Sequence, residues 1–319
     1  MSEFGKIILE VIGVTLPIFA VVAIGFFIRR KGFIKAEHVP VLNKLTYNLG
    51  LSALVFRVIS GSKFSDIVDV SLLKVVYSTY FLFILIIFLS FYFTRLNGGL
   101  KGAIIVSSYR NNMAFIGMPV LLYAFGSLAA AKAGIVIAAL LPLNIISTAL
   151  FLQFIKAGSG GSAKISALSI LRAIFTDPVI IATAAGLLIS YFNIRIPGPI
   201  DNLFEILASI AVPLALLSIG ASFKFSHIKE NVKFLSILNV LKLVVFPGIA
   251  LLFGLYVFNI AEFDRNIICI LFATPVAVAT YIQAARYKTD HDFISSAIIT
   301  TTIVSALTLS VWLFILKLI

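Results

Sequence analysis

The chain has 319 residues, 61% hydrophobic and only 12% charged, with a mean hydropathy of +1.12. A soluble domain carries about 25% charged residues, so a soluble fold is excluded. The formal charge of +12 is scattered singly between apolar blocks with no basic stripe, which points to membrane topology and against nucleic acid as a partner.

The N-terminus, MSEFGKIILEVIG, lacks the basic leader of a signal peptide, and its apolar run continues to Ile28, so it reads as a retained first span. Blocks of about twenty apolar residues, each long enough to cross a bilayer core, follow one another at 8–28, 38–59, 71–93, 102–125 and 130–155. They resume at 176–194, 201–222, 234–258, 264–286 and 293–316. Strand-like alternation is missing, so helices must satisfy the backbone. The expected fold is an all-α membrane protein with ten transmembrane helices.

Between the fifth and sixth spans lies KAGSGGSAKISALS, whose Gly and Ser content marks a flexible linker. It lacks the Gly-Lys-Ser/Thr ending of a phosphate loop, which leaves ATP as an energy source unsupported. The chain thus divides into 1–157, a linker at 158–169, and 170–319. LPIFAVVAIGFFI (16–28) aligns with DPVIIATAAGLLI (177–189) at an offset of 161, matching Pro17 with Pro178 and Gly25 with Gly186. SALVFRVISGSKF (52–64) falls on PLALLSIGASFKF (213–225) at the same offset. With five spans each, the two halves must face opposite ways, the inverted repeat of secondary transporters. Of the 25 Lys and Arg, fourteen lie on one set of loops, including Arg29, Arg30 and Lys31, and eight on the other. The richer side is expected in the cytoplasm of a multi-pass cell-membrane protein, with both termini extracytoplasmic.

The chemistry concentrates in SSYRNNMAFIGMPVLLYAFG, 107–126. Arg110 is nine residues from Lys101, or roughly 14 Å along a helix, near the middle of the hydrocarbon core. A charge there faces a cavity or a partner. Asn111 and Asn112 add amide donors and acceptors, and Gly117 and Pro119 interrupt helical bonding just beyond. The ninth span, CILFATPVAVATYIQAARYK, is broken at Thr274 and Pro275 and carries Thr280 and Gln283. Two interrupted spans in corresponding places of two halves mark a transporter site. Helix N-termini favour anions, and no carboxylate lies near the midplane. Asp177 reads as the cap before Pro178. Glu205 lies one turn inside the seventh span, and Asn48, Asn144 and Lys242 are further polar residues within spans. Lys242 is nine residues from Lys233, and its stem can snorkel toward the cytoplasm. Cys269 lies in an apolar segment, and His38, His227 and His291 have no metal-ligand spacing.

RNNMAFIGMP, AVPLALLSIGASF and ATPVAVATYIQAARY, with LPIFAVVAIGFFIRRKGFI at the start, resemble the auxin efflux carrier (PIN-like) family over nearly the whole chain. The resemblance implies two inverted five-helix repeats, related to the bile acid:sodium symporters, with a scaffold domain and a transport domain in which the broken fourth and ninth spans cross. It carries the crossover asparagine onto Asn112 and the crossover prolines onto Pro119 and Pro275. Substrates of the family are organic anions. Where the family often has Pro in the second span, this chain has Ser52.

The leading reading is an efflux carrier of elevator type for a small organic acid. Arg110 would neutralise the carboxylate, with Asn111, Asn112, Thr274, Thr280 and Gln283 orienting it. No cofactor or metal is expected, and coupling to protons or sodium stays open. A sodium-coupled symporter is one alternative and a non-transporting sensor of the same fold another; an intramembrane enzyme lacks its catalytic pairs. An apolar scaffold face can also pair with a second copy.

Overall fold

A computed structural model describes residues 3–157, 167–225, 228–284 and 289–318; the side chains of residues 3, 92, 152–157, 167 and 282–284 are outside it. Most of the linker at 158–169, His227, and the side chain of Gln283 therefore lie outside the described residues.

In the first half, α1 (Glu3–Arg30) precedes α2 (His38–Leu45) and α3 (Ser52–Ser60), which a π-helical turn at Thr46–Leu51 joins into one run. The short α4 (Phe64–Ile67) leads into α5 (Val70–Tyr92), whose N-terminal amides bond to the Asp69 carboxylate. Helix α6 (Gly98–Tyr109) stops at Arg110. After a π-helical turn at Met113–Gly117, α7 (Met118–Ala157) continues and bends at Gly126, where φ is +81°. That left-handed conformation is one only glycine adopts readily.

The second half holds α8 (Ala167–Phe175), α9 (Pro178–Tyr191), α10 (Gly198–Ser209) and α11 (Ala211–Ala221). Next come α12 (Val232–Val240) and α13 (Phe246–Leu252), with π-helical turns at Leu241–Val245 and Phe253–Val257. The chain ends with α14 (Glu262–Phe272), α15 (Ala279–Ala284) and α16 (His291–Leu316).

The ten expected spans are largely helical where described, but among the described residues six continuous helical runs are long and apolar enough to cross a membrane. The pair α8–α9, bent by 53°, makes a seventh. Met113–Phe151 merges the end of the fourth expected span with the fifth, and the ninth is short because of its break. Apolar side chains such as Leu16, Phe27 and Leu307 lie exposed on the outside, as lipid contact requires.

Two close helix crossings position the frame. At the first, α1 meets α11: a Cβ added at Gly25 would lie 2.2 Å from the Leu217 carbonyl oxygen, and one at Gly220 would lie 1.8 Å from that of Val22. At the second, α9 meets α3, where a Cβ on Gly186 would lie 3.0 Å from Ile59 and 3.2 Å from the Phe56 carbonyl oxygen. Small residues at such crossings let backbones approach within van der Waals contact, a major source of helix association in lipid. Around the broken helices, Phe83 stacks on Phe246 with ring centroids 3.8 Å apart, and Phe246 packs on Phe272. Arg57 pairs with Asp201 at 3.0 Å and with Glu205 at 3.1 Å, joining α3 to α10. A buried pair of Lys132 and Asp264, 2.6 Å apart, joins α7 to α14.

Candidate functional site

The backbone runs extended where both helices break, and the two breaks meet. The amide of Asn112 donates to the Pro275 carbonyl at 2.8 Å, and the amide of Ala277 donates to the Arg110 carbonyl at 3.0 Å. Asn111 and Val276 thus form an isolated antiparallel bridge, with no strand elsewhere among the described residues. The backbone groups freed by the breaks are tolerated because the two segments satisfy each other. Thr301 Oγ1 accepts the Val276 amide at 3.1 Å, and Thr274 Oγ1 donates to the Leu271 carbonyl at 2.8 Å, closing α14. Gly117 is small because Leu271 and Thr274 press on it: an added Cβ would lie 3.0 and 3.1 Å from their side chains.

Next to this junction is a cavity of about 480 Å³, within the range of small-molecule sites. Its inner end is Arg110, Asn111, Asn112 and the first turn after the break, Met113–Phe115; Ala277–Ala279 follow the other break. Ile137, Leu140, Leu141, Asn144 and Ile145 of α7 form one wall. The other comes from Pro40, Asn43, Lys44, Tyr47 and Asn48, with Asp177. The exposed surface of the wall is mostly apolar, although eight of its residues besides Tyr47 are polar or charged.

Arg110 is 6% exposed. Its Nε donates to Thr280 Oγ1 at 3.2 Å, and its Nη1 donates to Thr148 Oγ1 at 3.2 Å and the Asn144 carbonyl at 3.3 Å. The guanidinium therefore ties α7 to α15 while facing the cavity. Asn144 Nδ2 donates to Leu140, and its Oδ1 accepts from Tyr80 at 3.3 Å.

The two asparagines after Arg110 differ. Asn111 Nδ2 donates to the carbonyls of Leu271 at 3.2 Å and Phe272 at 3.0 Å, while its Oδ1 accepts from Lys242. Asn112 is 5% exposed, and its Nδ2 is buried with no hydrogen-bond partner among the described residues. A buried amide donor left unpaired costs about 1–3 kcal/mol. Asn112 itself lines the cavity, and its unpaired nitrogen lies just beneath that surface as an unmet contact.

Of the residues expected at the site, Arg110, Asn111, Asn112, Asn48 and Asn144 line the cavity. Thr280 stands behind Arg110, and Thr274 lies within its helix end. Pro119 faces a closed apolar seam between α7, α3 and α11, with Leu54, Phe115, Met118 and Ala215. Glu205 is away from the cavity, in its pair with Arg57. Lys242 does not snorkel: it is wholly buried and points inward beneath the break.

Sequence reasoning missed Tyr47, whose hydroxyl donates to the Asp177 carboxylate at 3.0 Å. Asp177 caps α9, accepting from the amides of Val179 at 2.9 Å and Ile180 at 3.2 Å, and also faces the cavity. The Asp-Pro pair signals the cap but not the cavity, because a cap motif carries no information about what packs opposite it.

A broken-helix junction beside a cavity in a polytopic helical protein is an arrangement found in membrane transporters. The profile of the membrane transport protein family matches residues 10–313, and the chain belongs to this family, that of the auxin efflux carriers. Its relatives include an "Uncharacterized transporter" of Methanocaldococcus jannaschii, 28% identical over 95% of this chain and 98% of that protein. A second "Uncharacterized transporter", from Methanothermobacter thermautotrophicus, is 25% identical over 93% of this chain and 95% of that protein. A Rhizobium meliloti protein named "Putative malonate transporter" is 24% identical over 97% of this chain and 96% of that protein.

Proposed function

We propose that the chain is a secondary carrier that exports small organic acids, binding their carboxylate at the junction of the two breaks. The observation that carries this is Asn112: it lines the same cavity as Arg110, and its buried amide nitrogen has no hydrogen-bond partner among the described residues. Donors held in place before the ligand arrives bind an anion at little reorganisation cost. The long helix that begins at Met113 adds its positive end. Asn111 is a strut in this reading, Thr280 and Thr274 hold the frame, and Gln283 stays a candidate contact.

The apolar walls favour an acid with an apolar body. Asp177, fixed by Tyr47 and the α9 amides, puts a negative charge on the cavity lining and Lys44 a positive one, so a second carboxylate would need Lys44 as its partner. The name of the Rhizobium relative makes malonate the dicarboxylate to compare.

Alternating access would move the bundle holding both breaks against the frame of α1, α3, α9 and α11. Two features support the inverted repeat this requires. Gly25 and Gly186, aligned at an offset of 161, each lie at a close helix crossing. Their partners Leu217 and Phe56 are separated by the same offset with the halves exchanged. The proposed setting is the cell membrane with both termini outside, and pairing through the frame is the proposed oligomer.

A thermal-shift screen of the purified protein with monocarboxylates and dicarboxylates, in sodium and in choline, tests the reading. An acid that raises the midpoint of wild type but not of Asn112→Ala is expected. Equal stabilisation of both proteins would remove Asn112 from the site.

A further inference from the structure

Where two helices break and meet, their C-terminal ends meet too. The last turn of α6 presents the Ser108 carbonyl, and the last turn of α14 presents those of Leu271 and Phe272. Each such end carries about half a negative charge. Lys242 lies where this charge collects. It is 0% exposed and sits within the π-helical turn at Leu241–Val245, a type of irregularity frequent at functional sites. Its Nζ donates to the Ser108 carbonyl at 3.2 Å and to Asn111 Oδ1. The Asn111 amide passes the contact on, since its Nδ2 donates to Leu271 and Phe272. The amide orientation follows from its partners: only the oxygen can face an ammonium, and only the nitrogen can face two carbonyls.

We infer that the Lys242 ammonium is the built-in cation of the broken-helix junction, occupying the place that carbonyl and amide oxygens would otherwise offer to an alkali-metal ion. One covalently held charge serves both helix ends, directly at α6 and through Asn111 at α14. Lys242 is absent from the cavity wall, so it is a positioning residue: it fixes Asn111, and with it the extended pairing that orients Arg110 and Asn112. A junction neutralised in this way needs no sodium to hold its shape.

The test compares thermal unfolding of the purified full chain in sodium chloride and in choline chloride at equal ionic strength. Wild type should have the same midpoint in both salts. Lys242→Ala, which leaves oxygen ligands and space, should unfold about 5–10 °C lower in choline and recover part of that loss in sodium. Sodium stabilising wild type as much as the variant would overturn the inference, as would a variant unaffected by either the substitution or the salt. Should Lys242→Ala fail to fold in both salts, Lys242→Arg and Lys242→Met decide: folding of Arg alone supports a charge, and equal behaviour of the two contradicts it. The readout is folding, so the result stands apart from whether the cavity takes an organic acid.

Discussion

In Asn112 the amide nitrogen is buried and unpartnered, whereas in Asn111 both ends of the amide are engaged, so alanine at the two positions should have opposite signatures. Asn112→Ala removes a contact the empty protein does not use. Its unfolding midpoint without ligand should match or exceed that of wild type, while affinity for the acid found by screening should fall about tenfold to a hundredfold, the worth of one hydrogen bond to a charge. Asn111→Ala strips a partner from two helix-end carbonyls and from a buried lysine, and should lose about 2–5 kcal/mol of stability, measurable by thermal unfolding in detergent. Arg110 combines both roles, since its nitrogens hold Thr280, Thr148 and Asn144 while the side chain lines the cavity. Arg110→Lys keeps the charge but not the planar fork, and should therefore lower both the midpoint and the affinity.

At the level of helices, the crossings of α1 with α11 and of α9 with α3 set the frame. Gly220→Ala places a methyl group against the Val22 backbone and should destabilise by at least about 1–3 kcal/mol. Gly13→Ala on the same α1 meets nothing within 4 Å and should leave stability unchanged or raise it by up to about 1 kcal/mol; both effects are read as unfolding midpoints. The second break is legible in the sequence because Pro275 disrupts helical bonding. The first falls at Arg110–Asn112, ahead of Gly117 and Pro119, which lie inside the helical run Met113–Phe151. It is marked instead by polar side chains deep in an apolar run, costly unless they face a cavity or a partner. Gly25 and Gly186 are legible as an aligned pair, but not the helices they touch. Lys242 is ambiguous in sequence because its distance from Lys233 suits a side chain reaching toward either the interface or the interior; only the fold places Asn111 and Ser108 over it. Tyr47 carries no signal at all, since an aromatic residue in an apolar span is ordinary.

Taken whole, the protein has a cavity on one side of the junction and a closed apolar seam at Leu54, Phe115 and Met118 beside it. Alternating access predicts that the two exchange. The native Cys269 is fully buried and gives a quiet background for thiol labelling. A cysteine at Leu141, on the cavity wall, should react with a membrane-impermeant maleimide in proteoliposomes. One at Leu54, in the seam, should react slowly until transported acid is added. Equal labelling of both without the acid would rule out a sealed seam. The most direct measurement is counterflow of a labelled organic acid in proteoliposomes reconstituted with wild type or Asn112→Ala. Wild type should show saturable counterflow, abolished or right-shifted by about tenfold or more in the variant. Identical counterflow in the two proteins, or none with any acid that stabilises the wild type, would contradict an organic-acid carrier with its site at the broken helices.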